Sequence, residues 1–352
     1  MSDLLALAAE LVAIPSVSHH EAAIADRVET ALRAAGHLEV TRVGDSVVAR
    51  TDLGRPRRVV LAGHLDTVPP PPGPVGARVE GDVLRGLGAV DMKGGLAVLL
   101  DLATTVARPS LDVTYVLYAC EEVERAHNAL AQLALSHPEL VAGDAAVLGE
   151  PTGGVVEAGC QGTMRAALTL AGRRAHTARP WTGVNAVHRL APVLEALAAY
   201  RPRAVEIDGC TFTEQLQAVG VEGGVAGNVV PDRAVLRCNY RFAPGRDVVE
   251  AQRELRRLLD VELGEGDTFE VLDASPACAP ALGHPVIAAV VAATGAAPRA
   301  KLGWTDVATF DAMGVPATNF GPGDPLLAHT PDEQVTRAEL EHARAVLGTV
   351  IG

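Results

Sequence analysis

RVVLAGHLDTVPP, residues 58–70, is the stretch from which the fold can be read. The apolar run from Arg58 to Ala62 has the length and β-branched content of a buried strand. It breaks into a loop that carries His64 and Asp66. At i and i+2 past a strand, the two side chains can point the same way. His64 can then bind a cation while Asp66 accepts its other ring N–H, which fixes the tautomer. Standing alone, such a pair reads more readily as a turn histidine beside a helix-capping aspartate. The rest of the chain reverses that preference.

Four other stretches repeat the arrangement: GLGAVDMKGG (residues 86–95), YVLYACEEVE (115–124), AVLGEPTGG (146–154) and LLAHTPDE (326–333). Each sets an acid or an imidazole where an apolar run gives way to a loop, namely Asp91, Glu122, Glu150 and His329. Val113–Ala119 and Ala145–Leu148 read as further strands, and Lys93–Val106 as a buried helix between strands. Short apolar strands alternating with helices indicate an α/β layer with a largely parallel sheet. Open α/β sheets place their ligand crevice at the carboxyl ends of the strands, where all five residues are expected.

The donor types suit a pair of divalent cations, zinc first, because zinc takes imidazole nitrogen and carboxylate oxygen readily. Asp91, between glycines, can give one oxygen to each cation. Glu121 and Glu122 are adjacent acids that repel unless cations or a proton compensate them. Their roles divide naturally, with Glu122 ligating and Glu121 carrying a proton. The chain therefore reads as a two-metal amidohydrolase. His19, His20, His37, His127, His137, His284 and His342 lack such a setting and read as surface or satisfied residues.

The middle of the chain differs. Met164–Ala171, Phe212–Val221 and Ala234–Phe242 read as extended, and Val184–Ala199 and Val248–Leu259 as helical. That β-α-β-β-α order suits a small antiparallel sheet with helices on one face. The Pro-rich DASPACAPAL (273–282) reads as a return linker, so one domain is inserted in another. The boundaries expected are 1–160 with 277–352 for the catalytic, metal-binding domain, and 161–276 for the insertion. A last helix starts at Thr336, with Glu339 completing a capping box. A short proline-rich loop spans Pro69–Pro74.

A formal charge of −13, with no long basic run, argues against nucleic-acid or anionic-membrane partners. The five cysteines are scattered and form no CxxC pair, which fits free thiols in a reducing cytoplasm. The start, MSDLLALAAELVAIPS, has one apolar helical face and no basic leader pattern, and no stretch reads as a membrane span.

The set HLDTVP, GLGAVDMKGG, CEEVE, LGEPT and AHTPDE resembles the M20 family of dinuclear zinc peptidases and deacylases across nearly the whole chain. Residues 172–188, 221–244 and 302–310 are similar to the branch of that family that removes succinyl groups from diaminopimelate. The resemblance implies a zinc-peptidase-like catalytic domain with an inserted, ferredoxin-like α+β domain that serves as lid and dimer contact. It implies two divalent ions, zinc or cobalt. His64, Asp91 and Glu150 would hold one and Asp91, Glu122 and His329 the other, with Asp66 orienting His64 and Glu121 as general base.

It further implies a homodimer in which His176 reaches the partner's site, while Asn228 and Arg241 hold substrate carboxylates. The expected reaction is hydrolysis of N-succinyl-LL-2,6-diaminopimelate to succinate and LL-2,6-diaminopimelate. Acetylornithine deacetylase, aminoacylase or dipeptidase chemistry on the same apparatus are the sibling alternatives. A non-catalytic dimeric binding protein is the alternative of another class. One departure stands out: Cys160-Gln161 replaces an arginine pair, so an anion contact there is missing or comes from elsewhere.

Overall fold

A computed structural model describes residues 3–71 and 76–352, so the second half of the proline-rich Pro69–Pro74 loop lies outside the described residues. In chain order the first strands are β1 (Glu39–Val43), β2 (Ser46–Arg50), β3 (Arg58–His64), β4 (Arg78–Glu80), β5 (Val83–Arg85), β6 (Asp112–Tyr118), β7 (Ala145–Leu148) and β8 (Glu157–Ala158). Then come β9 (Gly162–Ala171), β10 (Ala204–Ile207), β11 (Cys210–Thr213), β12 (Gln215–Gly223), β13 (Arg233–Phe242) and β14 (Thr268–Ser275). The last are β15 (Arg299–Ala300), β16 (Ala317–Asn319) and β17 (Gln334–Thr336). The chain divides into two compact units, one formed by Met1–Gly159, Pro280–Lys301 and Thr305–Gly352, the other by Cys160–Ala279 with Leu302–Trp304.

The first unit is built on an eight-stranded sheet in the order β1-β2-β6-β3-β7-β16-β8-β15. β6, β3, β7 and β16 run parallel in its centre, whereas β1, β2 and β8 join antiparallel. β3, β6 and β7 are buried along nearly their whole length, which requires cover on both faces and explains their continuous apolar runs. The fold class is thus α/β with a mixed sheet that is parallel where it matters for the site. A separate three-stranded ribbon, β17-β5-β4, joins residues from opposite parts of the sequence.

The helices follow their apolar faces. Leu4–Val12 buries Leu4, Leu5, Ala8, Leu11 and Val12, and Asp3 caps it by accepting from the Leu5 and Ala6 amides. Gly94–Thr105 is buried almost all round, as a helix inside a layered core must be. A Cβ at Gly95 would collide with the Gly149 carbonyl, so glycine lets this helix start against the end of β7. Arg337–Ile351 begins with the full Thr336–Glu339 capping box.

The second unit carries an antiparallel sheet, β12-β13-β9-β14. Burial alternates along β9, and Leu168, Leu236 and Tyr240 meet Leu190, Val193 and Leu255 from the helices to form its core. Two readings from the sequence are corrected here. The expected helix Val184–Ala199 is two, Ala186–Arg189 and Ala191–Ala199, because Pro192 cannot continue the first one's hydrogen bonds. The expected strand Phe212–Val221 breaks at Glu214, whose buried carboxylate accepts from Arg203, Arg246 and the Ala243 amide.

Candidate metal centre

Three of the five expected ligands leave the carboxyl ends of adjacent parallel strands. His64 is the last residue of β3, and Glu150 lies two residues beyond β7, which pairs with β3. On the other side of β3, β6 ends at Tyr118, and the chain turns at left-handed Cys120 (φ 59°) into Glu121 and Glu122. Asp91 and His329 do not share that address, contrary to the expectation from sequence. Asp91 sits in a wide turn, Ala89–Lys93, just before the helix Gly94–Thr105. His329 lies in the loop leading to β17, at φ 62°. The β5–β17 pairing carries these two segments together.

All five residues converge within the first unit. In His64–Asp91–Glu150 and again in Asp91–Glu122–His329, one ligand-type atom per residue lies within 4.8 Å of the others. Asp91 belongs to both groups. Its Oδ1 is 3.1 Å from His64 Nε2 and its Oδ2 3.4 Å from His329 Nε2, one oxygen facing each imidazole. Glu122 Oε1 stands 2.8 Å from His329 Nε2. His64, Glu121 and Glu122 form a third group of the same reach.

The charge balance shows what this cluster lacks. Glu150 Oε1 is buried without a hydrogen-bond partner among the described residues, a costly state for a carboxylate. Burial, reinforced by Asp91, pushes the Glu150 carboxyl up to about 7. Burial likewise drives Glu121 well above the carboxylate range, with Glu122, Glu150 and Asp306 adding to it and His64 opposing. For His64, burial alone would favour the neutral ring, but the Asp66 and Asp91 carboxylates outweigh it and hold the imidazolium. His329, bonded to Asp91 and Glu122, is raised to about 10. Without cations, protons must compensate the desolvated acids. An orphan oxygen and mixed nitrogen and oxygen donors around a shared carboxylate fit two divalent ions.

Asp66 meets both His64 and the glutamate loop. His64 Nδ1 lies 3.0 Å from the Asp66 backbone carbonyl and 3.5 Å from its carboxylate. The carboxylate also holds the loop beyond β6. Its Oδ1 accepts the Glu121 amide at 3.0 Å, and its Oδ2 accepts the Glu122 amide at 3.0 Å and the Ser18 hydroxyl at 2.7 Å. The fully buried Asp66 therefore holds the loop that presents both glutamates. Burial alone would raise its pKa, yet the neighbouring imidazole and these amides bring it below the usual range.

Ser18 escaped the sequence reading, since a serine seventeen residues into a chain carries no spacing signal. So did Lys301, whose Nζ stands 3.0 Å from Glu157 and donates to the Pro151 carbonyl. Burial alone would lower its pKa, but Glu157 and Glu150 keep the ammonium charged beside the cluster. Asp306, held by Asn128 at 2.7 Å, is a further buried acid of this neighbourhood.

The remaining expected site residues lie in the second unit. His176 Nδ1 accepts the Ala178 amide at 3.0 Å, which leaves the ring's proton on Nε2, free to donate. Asn228 is its neighbour, its carbonyl accepting the Thr177 amide. Arg241, on β13, is half-buried and bonds Asn239 Oδ1 at 3.2 Å, with no carboxylate partner among the described residues. Burial lowers its pKa. Gln161 gives its amide to the Thr213 carbonyl and is spent on structure. Arg189 forms a two-pronged ion pair with Asp267, whose side chain is shielded from solvent.

A sequence profile for Peptidase family M20/M25/M40 matches residues 60–352. Over 351 residues the chain is 51% identical to a Mycobacterium tuberculosis protein named putative succinyl-diaminopimelate desuccinylase, covering 99% of this chain and 98% of that one. It is 45% identical over 353 residues to a Corynebacterium glutamicum protein named succinyl-diaminopimelate desuccinylase, covering 99% and 95%. Among solved structures, a tripeptidase from Staphylococcus aureus superposes with a TM-score of 0.82 at 20% identity, covering 99% and 97%. An M20 family metallo-carboxypeptidase from Sulfolobus solfataricus gives 0.80 at 17%, covering 99% and 98%. At those identities the two structures speak for the fold alone.

Proposed function

The chain belongs to peptidase family M20/M25/M40, and from that premise we propose that it hydrolyses the amide of N-succinyl-LL-2,6-diaminopimelate, releasing succinate and LL-2,6-diaminopimelate. The observation that carries the reaction type is Asp91, whose two carboxylate oxygens face two separate imidazoles beside the orphan oxygen of Glu150. The substrate follows the names of relatives 45% and 51% identical over nearly their whole length.

His64, Asp91 and Glu150 would hold one divalent ion and Asp91, Glu122 and His329 the other, zinc in preference to cobalt. Such a pair would polarise the scissile carbonyl and make a water nucleophilic at neutral pH. Glu121 takes the proton from that water as it attacks, and returns it to the departing amine. Without cations its burial among carboxylates favours the protonated form; two bound ions would offset those charges and leave the carboxylate able to accept the proton. Asp66 keeps Glu121 and Glu122 in place through their amides.

In the second unit, His176 offers its Nε2–H to the developing oxyanion, serving the other subunit of a homodimer. Arg241, with free guanidinium donors and no internal carboxylate, binds a carboxylate of the substrate, and Asn228 assists. Dimerisation is supported by β12, an edge strand that leaves Val219 and Val221 exposed. The scattered cysteines, with no CxxC pair, suit a cytoplasmic setting. Among the described residues no helix is long and apolar enough to cross a membrane.

The test is turnover by zinc-reconstituted protein on N-succinyl-diaminopimelate, N-acetylornithine and a dipeptide. We expect kcat/KM for the succinyl substrate to exceed the others by at least about 100-fold, since an acetyl group leaves a carboxylate subsite unfilled. A higher value for either competitor would overturn the substrate assignment.

A further inference from the structure

We propose that Glu333 is a positioning residue for the cation pair, its carboxylate setting the Asp91 turn and the His329 loop in one frame. The proposal rests on the dinuclear reading above and adds a residue to it. Glu333 is 3% exposed and lies four positions after His329. Its Oε2 accepts the Gly88 amide at 2.8 Å, and its Oε1 accepts the Val90 amide at 3.1 Å and the Asp91 amide at 2.9 Å. Its own carbonyl accepts the Gly86 amide at 3.1 Å. One residue thus collects four N–H groups from the turn that presents the shared carboxylate.

The turn is shaped for that contact. Gly88 is left-handed (φ 79°), and a Cβ there would stand 2.8 Å from Thr67 Cγ2, so glycine lets the turn pass close to Thr67 while its amide reaches Glu333. At the far end of the turn, Lys93 Nζ donates to the Ile14 carbonyl at 2.7 Å. Asp66 provides the parallel: a buried carboxylate accepting successive amides of the loop that carries Glu121 and Glu122. Both loops are therefore fixed by buried acids whose oxygens accept backbone amides.

A purely structural anchor would be redundant. The pairing of β5 with β17 already joins the two segments, at Arg85 and Gln334, one residue beyond Glu333. What the carboxylate adds is the direction in which Asp91 leaves its turn. Since Asp91 belongs to both ligand groups and His329 to one, losing Glu333 weakens the Glu122–His329 position more than the His64–Glu150 position.

The experiment titrates zinc into metal-free wild type, Glu333→Ala and Glu333→Gln against a chromophoric chelator, with urea midpoints recorded in parallel. Alanine is expected to weaken the second zinc by about 10- to 100-fold and the first by less, the usual range for residues supporting a ligand. Glutamine keeps an oxygen for the Val90 and Asp91 amides but turns its NH2 on Gly88, so it should fall between alanine and wild type. Wild-type zinc constants in both variants, even with a lowered urea midpoint, overturn the proposal. If alanine does not fold, wild-type constants in the glutamine variant alone overturn it. A wild-type chain that takes up fewer than two zinc ions overturns the dinuclear reading and this inference with it. Two ions held equally by all three proteins overturn only the role of Glu333.

Discussion

Asp66→Ala removes the acceptor for three buried or half-buried donors, the Ser18 hydroxyl at 2.7 Å and the Glu121 and Glu122 amides at 3.0 Å each. A donor left unsatisfied inside a protein costs about 1–3 kcal/mol. The Ser18 hydroxyl can rotate to another acceptor, whereas the two amides cannot, so the expected loss is about 3–5 kcal/mol. That is a large share of the roughly 5–15 kcal/mol that holds a typical domain folded. Asp66→Asn keeps one oxygen and should lose about 1–2 kcal/mol, giving an internal order of aspartate, asparagine, alanine. The assay is urea unfolding of the metal-free protein, comparing midpoints at constant slope. A loss under about 1 kcal/mol for alanine would refute the clamp. With zinc present, the freed loop should also cost about 10- to 100-fold in turnover.

Four other outcomes are expected. Glu121→Ala should lower kcat by about 10²–10⁴ while two zinc ions per chain remain by elemental analysis; near-normal turnover would remove it as the base. Arg241→Ala should raise KM for the succinyl substrate about 10- to 100-fold, the value of a charge-assisted hydrogen bond, with zinc content unchanged; identical kinetics would exclude it from the site. Without cations, Glu150, raised to about 7, is about half protonated near neutral pH, and His329, raised to about 10, is almost wholly so. Zinc binding must displace those protons and weaken as pH falls, which calorimetry in buffers of different ionisation enthalpy would detect; no proton release would contradict the site. Asp267, with Arg189 as the chief cause, is lowered from 3.8 to about 2. Its folded value lies below its unfolded one, so this stabilisation is full above about pH 4 and fades as pH falls through about 2. Arg189 is 32% exposed, so Arg189→Ala should cost only about 1–2 kcal/mol at neutral pH and flatten that acid limb; an unchanged limb would refute the pairing.

The sheet was legible because β3, β6 and β7 are buried on both faces and therefore write unbroken apolar runs. His64, Glu122 and Glu150 stood out for the same reason, as polar residues where such runs stop. Asp91 and His329 were recognisable as residue types but not as positions. The ribbon that carries them is three residues per strand, with β4 exposed, and so has no apolar period to read. Glu333 and Asp66 illustrate a deeper limit. Their carboxylates bind backbone amides, and an amide is present at nearly every residue, so sequence gives no hint of which ones will converge. The Leu190 break could have been anticipated from Pro192, whereas the Glu214 break depends on Arg203 and Arg246 arriving from elsewhere.

The ribbon also dictates when the molecule can become complete. Gly88 and Glu333, joined by a hydrogen bond, are separated by 245 positions. At about 5–20 residues per second, a ribosome needs roughly 10–50 s to travel between them. During that interval the nascent polypeptide carries its early acids with no late histidine to close the second group, while the six strands β9–β14 are made. Loading of the Asp91–Glu122–His329 position therefore waits for the segment that carries His329, whereas His64, Asp91 and Glu150 are all translated long before it.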